Sequence, residues 1–217
     1  IKRLIREAKD LGFSSVNIDL IYGLPGQTEA TLRETLVQVE RMNPDRISLF
    51  SYAHMPKLFP AQRKIKDQWL PSSDSKFNFF RLSINTLIAQ GYEYIGMDHF
   101  AKPQDELSIA AKNKTLQRNF QGYTTDTAST LLGLGVSSIS NLGTTYTQNH
   151  KKLKDYYEAI DATGSALEKG VSLNKEDVIH RAIIHQLMCN FYVEKACFSE
   201  QYGIEFDVYF SQSLAQL

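Results

Sequence analysis

Polar and apolar residues alternate along the segment 14–22, which reads SSVNIDLIY. Ile18 and Leu20 share one side of an extended chain, whereas Asn17 and Asp19 share the other. This period of two, with β-branched residues on the apolar side, predicts a strand. If helices cover the apolar side, we expect Asn17 and Asp19 to face away from them.

Apolar residues at helical spacing follow in two later segments. The first runs from Thr28 to Met42 and stops at Asn43-Pro44, because proline does not continue a helix. The second runs from about Asp74 to Gln90, with Ser73 as its predicted N-terminal cap. The buried stripe predicted for this second helix consists of Phe77, Phe80, Ile84, Leu87 and Ile88.

Strands and helices alternate through the first half of the chain. Residues 46–52 and 92–97 are the second and third strand candidates, each placed after a predicted helix. This order is that of a parallel α/β sheet. Three strands are too few to close a barrel, and residues 1–11 already carry a helical pattern, so we expect a portion of a longer protein.

The second half of the chain carries weaker patterns. Residues 113–149 are rich in Asn, Thr, Gln, Ser and Gly, which predicts long ordered loops beside the sheet. We expect an α/β region with these loops at 1–150, a helical connection at 151–169 and a truncated helical domain at 170–217. Asn174 is predicted to cap the first helix of that domain.

The charges of the chain balance. Lys and Arg number 24, Asp and Glu number 24, and the formal net charge is zero. Nucleic-acid and membrane-surface binders depend on excess positive charge, so neither nucleic acid nor membrane is an expected partner. Cys189 and Cys197 have neither disulfide-framework nor metal-site spacing, so we expect a cytoplasmic protein with no metal ligand in this chain.

Polar residues stand in or next to the predicted strands. Asp19 is a carboxylate in an otherwise apolar strand, where it either binds a ligand donor or is held by backbone N–H groups. His54 follows the second strand, as a base or ligand contact or as a loop histidine with one hydrogen bond. Asp98 and His99 suggest a catalytic dyad, but strand neighbours point to opposite faces, so we expect no pairing.

Two further segments each leave alternatives open. Gly133–Ser138 resembles the start of a dinucleotide fingerprint without its third glycine, so we expect a tight turn or a close backbone approach to a ligand, and no nicotinamide site. The basic segment, Lys57–Lys66, contains Lys57, Arg63, Lys64 and Lys66 and no acidic residue. It either binds carboxylates or phosphates or forms a solvated face.

Six strings, taken together, resemble one family. They are NIDLIYGLPG (17–26), YAHMP (52–56), AQRKI (61–65), GMDHFA (96–101), RNFQGYTT (118–125) and LGLGVSSI (132–139). They resemble the bacterial oxygen-independent coproporphyrinogen III oxidases, which are radical S-adenosylmethionine (SAM) enzymes of haem synthesis. The first string is shared with haem chaperones of the same superfamily, whereas the fourth and fifth point to the oxidases.

The resemblance implies a fold and a reaction. The fold class is α/β, the C-terminal portion of an incomplete (β/α) radical SAM barrel followed by a small helical domain. The reaction is the oxidative decarboxylation of two propionate groups of coproporphyrinogen III, giving protoporphyrinogen IX, by a 5′-deoxyadenosyl radical. The implied partners are this substrate, an electron donor and an electron acceptor, and the full-length protein is expected to be a monomer.

The resemblance also implies the cofactors. Two SAM molecules and a [4Fe–4S] cluster are expected in the full-length protein, and the chain alone is expected to be inactive because it lacks the CxxxCxxC motif that holds the cluster. Asp19, Ala53 and Ile139 match positions that contact SAM, the first through its carboxylate and the others through backbone groups. Phe120 and Gln121 are implied to line the same cavity.

Two other functions stay open at this point. A haem-binding chaperone of the same superfamily would carry haem without oxidising a substrate. A plain barrel enzyme would use Asp19 and His54 for acid–base chemistry. Only a radical enzyme needs the three-cysteine motif, so the full-length sequence would separate the plain barrel enzyme from the other two.

Overall fold

A four-stranded mixed sheet organises the first of two units. The computed structural model describes residues 1–128 and 130–216, and its units are Ile1–Asn113 and Lys114–Leu217. The elements of the first unit are α1 (Lys2–Asp10), β1 (Asn17–Tyr22), α2 (Glu29–Met42), β2 (Arg46–Ser51), two 3₁₀ helices (Pro60–Lys64 and Asp67–Trp69), α3 (Ser73–Ala89), β3 (Glu93–Gly96), β4 (His99–Ala101) and α4 (Glu106–Lys112).

The strand order in this sheet is β1-β2-β4-β3. β1 and β2 pair in parallel, and β4 is antiparallel to both of its neighbours. The sequence predicted three parallel strands, and the structure adds a fourth, antiparallel one. Gly96 (φ 150°) and Met97 (φ 49°) reverse the chain directly after β3, and the returning strand is too short to show a period of its own.

One side of β1 and β2 is buried against helices. Ile18 and Leu20 pack against the core, whereas Asn17 and Asp19 are exposed on the other side. The predicted division of β1 into an apolar and a polar side is therefore confirmed. The buried members of this core are Leu32, Leu36, Val39, Ile47, Leu49, Phe79, Leu87, Tyr92 and Phe100.

The ends of α2 agree with the sequence pattern. Thr28 and Thr31 form a reciprocal capping box at its N-terminus, with hydrogen bonds of 3.0 and 3.3 Å. Asn43 ends the helix in the left-handed conformation, with φ 47°. The cap of α3 is Ser72, one residue before the predicted Ser73.

The buried stripe of α3 differs from the predicted one. Phe77 and Ile88 are 64% and 51% exposed, whereas Phe79 and Leu87 are buried. The stripe also contains Ser83, whose hydroxyl donates to the Phe79 carbonyl at 2.8 Å and so has its hydrogen bond inside the core. The prediction is confirmed for Leu87 and for two residues that pack against the core, Phe80 and Ile84. It is wrong at its two ends, and a pattern built from apolar residues cannot include a serine.

Short antiparallel strands occupy the first part of the second unit. Its elements are β5 (Gln117–Asn119), β6 (Gly122–Thr124), β7 (Thr130–Leu131), β8 (Ile139–Leu142), β9 (Thr145–Asn149), α5 (Leu153–Thr163), β10 (Leu167–Ser172), α6 (Lys175–Asn190), α7 (Lys195–Tyr202), α8 (Phe206–Tyr209) and α9 (Ser211–Leu214). One sheet has the order β10-β9-β8-β7, and β5 pairs with β6. These strands replace the loops expected at 113–149, because Thr, Gln and Asn give no apolar period.

The helices of the second unit have a core of their own, formed by Ile179, Phe198, Phe206 and Phe210. The predicted cap of α6 is confirmed, because the Asn174 side chain accepts from the Asp177 N–H at 2.9 Å. The domain boundaries at 150 and 170 stay predictions, and residue 217, where truncation was expected, lies outside the described residues. Across the described part of the chain, no helix is long and apolar enough to cross a membrane.

A buried ion pair fixes β2 to the start of α4. Arg46 Nε donates to both carboxylate oxygens of Asp105 at 2.9 Å, and Nη2 donates to Glu106 at 2.7 Å. The Asp105 side chain is only 2% exposed and also accepts from the Ser15 hydroxyl and the Leu107 N–H. Burial opposes the charge on Arg46, but the two acids outweigh it and raise the pKa of the guanidinium.

Replacing Asp105 with Ala is expected to lower the free energy of unfolding by about 3–5 kcal/mol, because Arg46 then keeps a charge without its buried partner. Chemical denaturation measures the loss. Glu106→Gln is the matched control, since the Glu106 side chain is 63% exposed and its ion pair is worth about 1 kcal/mol or less. Equal losses for the two variants would contradict the importance of the buried pair.

Candidate functional site

Three segments leave the sheet of the first unit at one edge. β1 and β2 are parallel and end together at Tyr22 and Ser51, so the loops that follow them are neighbours. β3 runs in the same direction as β2, because β4 is antiparallel to both, and the turn at residues 97–98 therefore lies at this edge too. We name it the carboxyl edge. Ligand sites of α/β proteins collect at such edges.

The side of the sheet opposite the core carries polar residues from three strands. Asp19 on β1 pairs in register with Ser48 on β2, and Ser48 pairs with His99 on β4. Residues in register point to the same side, so these three form a row across the sheet. We name this side, with Asn17, Asp19, Ser48 and His99, the polar face.

Asp19 is exposed on the polar face. Its Oδ1 accepts a hydrogen bond from Nδ2 of Asn17 at 2.8 Å, and the Ser48 hydroxyl donates to Oδ1 of Asn17 at 3.3 Å. Among the described residues, Asp19 is thus held by a side chain and not by backbone N–H groups. An ionised carboxylate has acceptor positions beyond this one bond, so Asp19 has the capacity to bind a ligand donor.

The loop after β1 is tied to the segment after β2. Gly23 has φ 78°, a conformation that favours glycine, and its N–H donates to the Gln27 side chain at 2.6 Å. A Cβ at Gly23 would lie 3.3 Å from Cε of Lys76. Lys76 Nζ lies 3.4 Å from the Tyr52 carbonyl oxygen, to which it donates. The Lys76 side chain therefore links the two loops.

Ala53 lies in a short clamp made by one glutamine. The Gln62 side chain donates through Nε2 to the Ala53 carbonyl at 3.1 Å and accepts from the Met55 N–H at 2.5 Å. This amide fixes the direction of the Ala53 carbonyl, which keeps a second lone pair for a ligand. The resemblance included Gln62 in the string AQRKI but assigned it no role beside Ala53.

His54 is partly buried beside Ala53. Its Nδ1 is buried and has no hydrogen-bond partner among the described residues. Its ring centroid lies 6.2 Å from that of Tyr52. The expectation of a loop histidine with one hydrogen bond is therefore not met at this nitrogen.

Asp98 and His99 do form a pair, and the expectation against it is wrong. Nδ1 of His99 donates to Oδ1 of Asp98 at 2.7 Å. Asp98 belongs to the turn between β3 and β4 and not to a strand, so the alternation of strand neighbours does not apply. The ring of Phe50 meets the His99 ring edge-on, with centroids 6.3 Å apart.

Ile139 lies in the second unit, as the first residue of β8. Gly133 approaches it so closely that an added Cβ would lie 2.6 Å from the Ile139 carbonyl oxygen. Gly133–Ser138 therefore joins two antiparallel strands, in agreement with the turn that was one of its predicted roles, and the approach to a ligand stays a prediction. Asp19 and Ala53 thus lie in the first unit and Ile139 in the second.

Phe120 and Gln121 lie in the turn between β5 and β6 of the second unit. Phe120 is 55% exposed and meets Tyr146 of β9 edge-on, with ring centroids 5.3 Å apart. The Gln121 N–H donates to the Asn119 side chain at 2.8 Å. The exposed aromatic ring is available to a ligand, and its role in the cavity stays a prediction.

The cysteines do not fit an iron–sulfur cluster. Cys189 is buried in α6, and Cys197 is exposed in α7. Burial raises the pKa of the Cys189 thiol, although Arg118 acts in the opposite direction, and a raised pKa disfavours the thiolate that a metal needs. In the described ranges, no group of three or more His, Cys, Asp or Glu side chains is placed to hold a metal ion.

The basic segment is exposed at the carboxyl edge, directly after β2. Arg63 Nε donates to the Pro56 carbonyl at 3.1 Å, which fixes the guanidinium. Leu58 and Phe59, in the same segment, are 70% and 51% exposed. Sequence reasoning found the cations but not this exposed apolar surface beside them.

A cavity of 440 Å³ lies in the first unit, between the loop after β1, the second 3₁₀ helix and α3. Its lining includes Thr28, Trp69 and Phe79 but neither Asp19 nor Ala53. We therefore assign the candidate site to the polar face and the carboxyl edge.

The chain is similar to bacterial oxidases along nearly all of its length. It is 50% identical over 214 residues to the oxygen-independent coproporphyrinogen III oxidase of Salmonella typhimurium, covering 99% of this chain and 47% of that protein. It is 49% identical over 214 residues to that of Escherichia coli K12, with the same coverage. The chain spans about half the length of the curated relatives that it matches. No protein-family model matches it.

A solved structure is similar as well. Coproporphyrinogen III oxidase from Escherichia coli, a radical SAM enzyme, has a TM-score of 0.95 and 48% identity to this chain, covering 99% of this chain and 49% of that one. The fold is therefore that of about half of a radical SAM enzyme, as the resemblance implied. Within this class, the chain is homologous to the oxygen-independent coproporphyrinogen III oxidases, and the resemblance of the six strings is confirmed.

Gly133→Ala is expected to lower the free energy of unfolding by about 1–3 kcal/mol, because the new Cβ meets the backbone of Ile139 and not a flexible side chain. Chemical denaturation measures this loss. Gly143→Ala is the control, since its Cβ would meet nothing within 4 Å although its φ is 70°, and its backbone strain is worth about 1 kcal/mol. A smaller loss for Gly133→Ala than for Gly143→Ala would contradict the close approach.

Proposed function

We propose that this chain supplies part of the SAM and substrate sites of an oxygen-independent coproporphyrinogen III oxidase. The observation that carries the proposal is the exposed carboxylate of Asp19 on the polar face. The Lys76 side chain links the two loops at the neighbouring carboxyl edge. The names of the relatives support the reaction. In it, two propionate groups of coproporphyrinogen III lose carbon dioxide and become the vinyl groups of protoporphyrinogen IX.

In this proposal, the residues of this chain bind the ligands and orient them. SAM and a reduced [4Fe–4S] cluster, when bound, supply a 5′-deoxyadenosyl radical that takes a hydrogen atom from the propionate β-carbon. Asp19 accepts hydrogen bonds from N–H or O–H groups of SAM. Ala53 and Ile139 contribute backbone groups, the former through the carbonyl that Gln62 fixes. Two SAM molecules are proposed from the resemblance.

The cluster needs a protein segment other than this chain. Since neither Cys189 nor Cys197 fits it, we propose that a CxxxCxxC segment outside these residues holds the iron. The chain alone is then expected to take up no cluster and to be inactive. The same proposal includes an electron donor, an electron acceptor, a cytoplasmic location and a monomeric full-length protein.

The alternatives are not favoured. The relatives described above are named as oxidases and not as haem chaperones. The similarity to a radical SAM enzyme does not support a plain barrel enzyme that uses Asp19 and His54 for acid–base chemistry. If the protein bound haem without forming product, the haem-chaperone function would be favoured instead.

Asp19→Asn is expected to weaken SAM binding by roughly tenfold or more, because a hydrogen bond to a charged acceptor is worth about 1.5–3 kcal/mol and asparagine keeps the shape without the charge. Thermal stability should stay unchanged, since the side chain is exposed. Isothermal titration of an active oxidase that contains this chain measures the affinity. Asp161→Asn, at an exposed position of α5, is the control. An unaltered affinity would make Asp19 a structural carboxylate.

The basic segment fits the charge of the proposed substrate, which carries four propionate groups. Arg63 is the better anchor than Lys64, because a guanidinium grips a carboxylate with two hydrogen bonds. Its Nε is already fixed by the Pro56 carbonyl, so its terminal nitrogens would meet the carboxylate. We propose that Arg63, with Lys64 or Lys66, anchors a propionate that is not decarboxylated.

Arg63→Ala is expected to raise the KM for coproporphyrinogen III by roughly tenfold or more, as the loss of about 1.5–3 kcal/mol implies. SAM cleavage without substrate should not change. Steady-state kinetics under anaerobic conditions measure both. Arg33→Ala, at an exposed position of α2, is the matched control. If both variants keep the original KM, the basic segment is a solvated face.

A further inference from the structure

The peptide groups on both sides of Ala53 are held by side chains. The Tyr52 carbonyl and the Ala53 N–H belong to one planar peptide group, and this group accepts from Nζ of Lys76 at 3.4 Å. The next peptide group, which contains the Ala53 carbonyl, accepts from the Gln62 amide at 3.1 Å. Gln62 lies in the first 3₁₀ helix and Lys76 in α3, so two separate elements fix the backbone at Ala53.

The stem of Lys76 also lies against the loop after β1. A Cβ at Gly23 would lie 3.3 to 3.6 Å from three carbons of this stem, Cε, Cγ and Cδ. Phe80 follows Lys76 by one helical turn on the same side of α3, and it stacks on Tyr22, the last residue of β1, with ring centroids 5.8 Å apart. This side of α3 therefore packs on the end of β1, and Lys76 contacts the loops that follow β1 and β2.

The ammonium group of Lys76 has a carbonyl, and no acid, as its polar partner in the described part of the chain. The side chain is partly buried. A distance of 3.4 Å is long for a hydrogen bond, but the attraction between a full positive charge and a carbonyl dipole persists at this separation. The charge also polarises the peptide group, and this makes the Ala53 N–H a stronger donor.

We propose that Lys76 is a positioning residue for SAM. Its stem and its ammonium group hold the loop after β1, the strand of Asp19, beside the peptide group that precedes Ala53. Asp19 and Ala53 then keep a fixed separation before the ligand binds, and this preorganisation lowers the cost of binding. The proposal rests on the proposed function, in which Asp19 and Ala53 contact SAM.

The test uses two substitutions of Lys76 in a complete oxidase that contains this chain. Lys76→Met keeps an unbranched stem beside Gly23 but removes the donor, whereas Lys76→Arg keeps a positively charged donor. The equilibrium dissociation constants for SAM and for coproporphyrinogen III are measured separately under anaerobic conditions, with thermal denaturation of each variant. We expect Lys76→Met to weaken SAM binding by about fivefold to tenfold, the effect of one hydrogen bond, and Lys76→Arg to recover most of that loss. The affinity for coproporphyrinogen III should stay the same in both variants.

Two further variants complete the experiment. Lys175→Met, at an exposed position of α6, is the matched control, because it makes the same chemical change outside the first unit. It should change neither dissociation constant. Lys76→Gln replaces Lys76→Met if the latter is too unstable to measure. Its amide nitrogen ends one bond before the position of Nζ, so we expect the same loss of SAM affinity as for Lys76→Met.

Three results would overturn the proposal. One is an unchanged SAM affinity in Lys76→Met. The second is an equal loss in Lys76→Met and Lys76→Arg with a matching fall in thermal stability, which would show a merely structural role. The third is a loss confined to coproporphyrinogen III, which would make Lys76 a contact of the substrate's carboxylates. Failure of the proposed function has a different signature, because the unsubstituted protein would then not bind SAM.

Discussion

The first unit depends on one constraint, the burial of a single side of the β1–β2 pair. Once Ile18 and Leu20 are committed to the core, the period of two forces Asp19 onto the opposite side. If the pairing register of β1 shifted by one residue, its two sides would be exchanged and the carboxylate of Asp19 would be buried. Asp45 prevents such a slip, because it exchanges hydrogen bonds with the backbone of Val16 just before β1, at 2.9 and 3.0 Å. The candidate site is thus a consequence of a packing requirement.

The sequence predicted those features of the first unit that depend on local periodicity. The two sides of β1 and the ends of α2 are of this kind, and both were confirmed. The stripe of α3 was predicted correctly in its middle part but omitted Ser83, whose hydroxyl bonds within its own helix, which an apolar pattern cannot show. The Asp98–His99 pair was missed because it depends on where a turn ends and a three-residue strand begins.

Contacts between distant residues were beyond what a pattern can show. The Ala53 carbonyl is directed by Gln62, and Gly133 is required by the backbone of Ile139, yet neither partner has a periodicity that points to the other. The strands of the second unit are short and polar, so their pairing is fixed by their neighbours and not by propensity. The family resemblance pointed to Ala53 and Ile139, and the structure shows which contacts fix the backbone at these two residues.

The charge balance of the whole chain conceals a separation of charge at the carboxyl edge. The chain has a formal net charge of zero, yet Asp19 lies on the polar face and Asp98 in the turn at the carboxyl edge, while the cations of Lys57–Lys66 follow the end of β2. The two proposed ligands differ in the same way, since SAM carries cationic groups and coproporphyrinogen III carries four carboxylates. In the proposed function, the carboxylates of Asp19 and Asp98 would repel those of the substrate from the position of the cofactor, and the basic segment would offer the substrate's carboxylates a separate place. The positions of the acidic and basic side chains in the fold would then discriminate between the two ligands. A protein with a net charge of zero can discriminate in this way, because the local charges are separated.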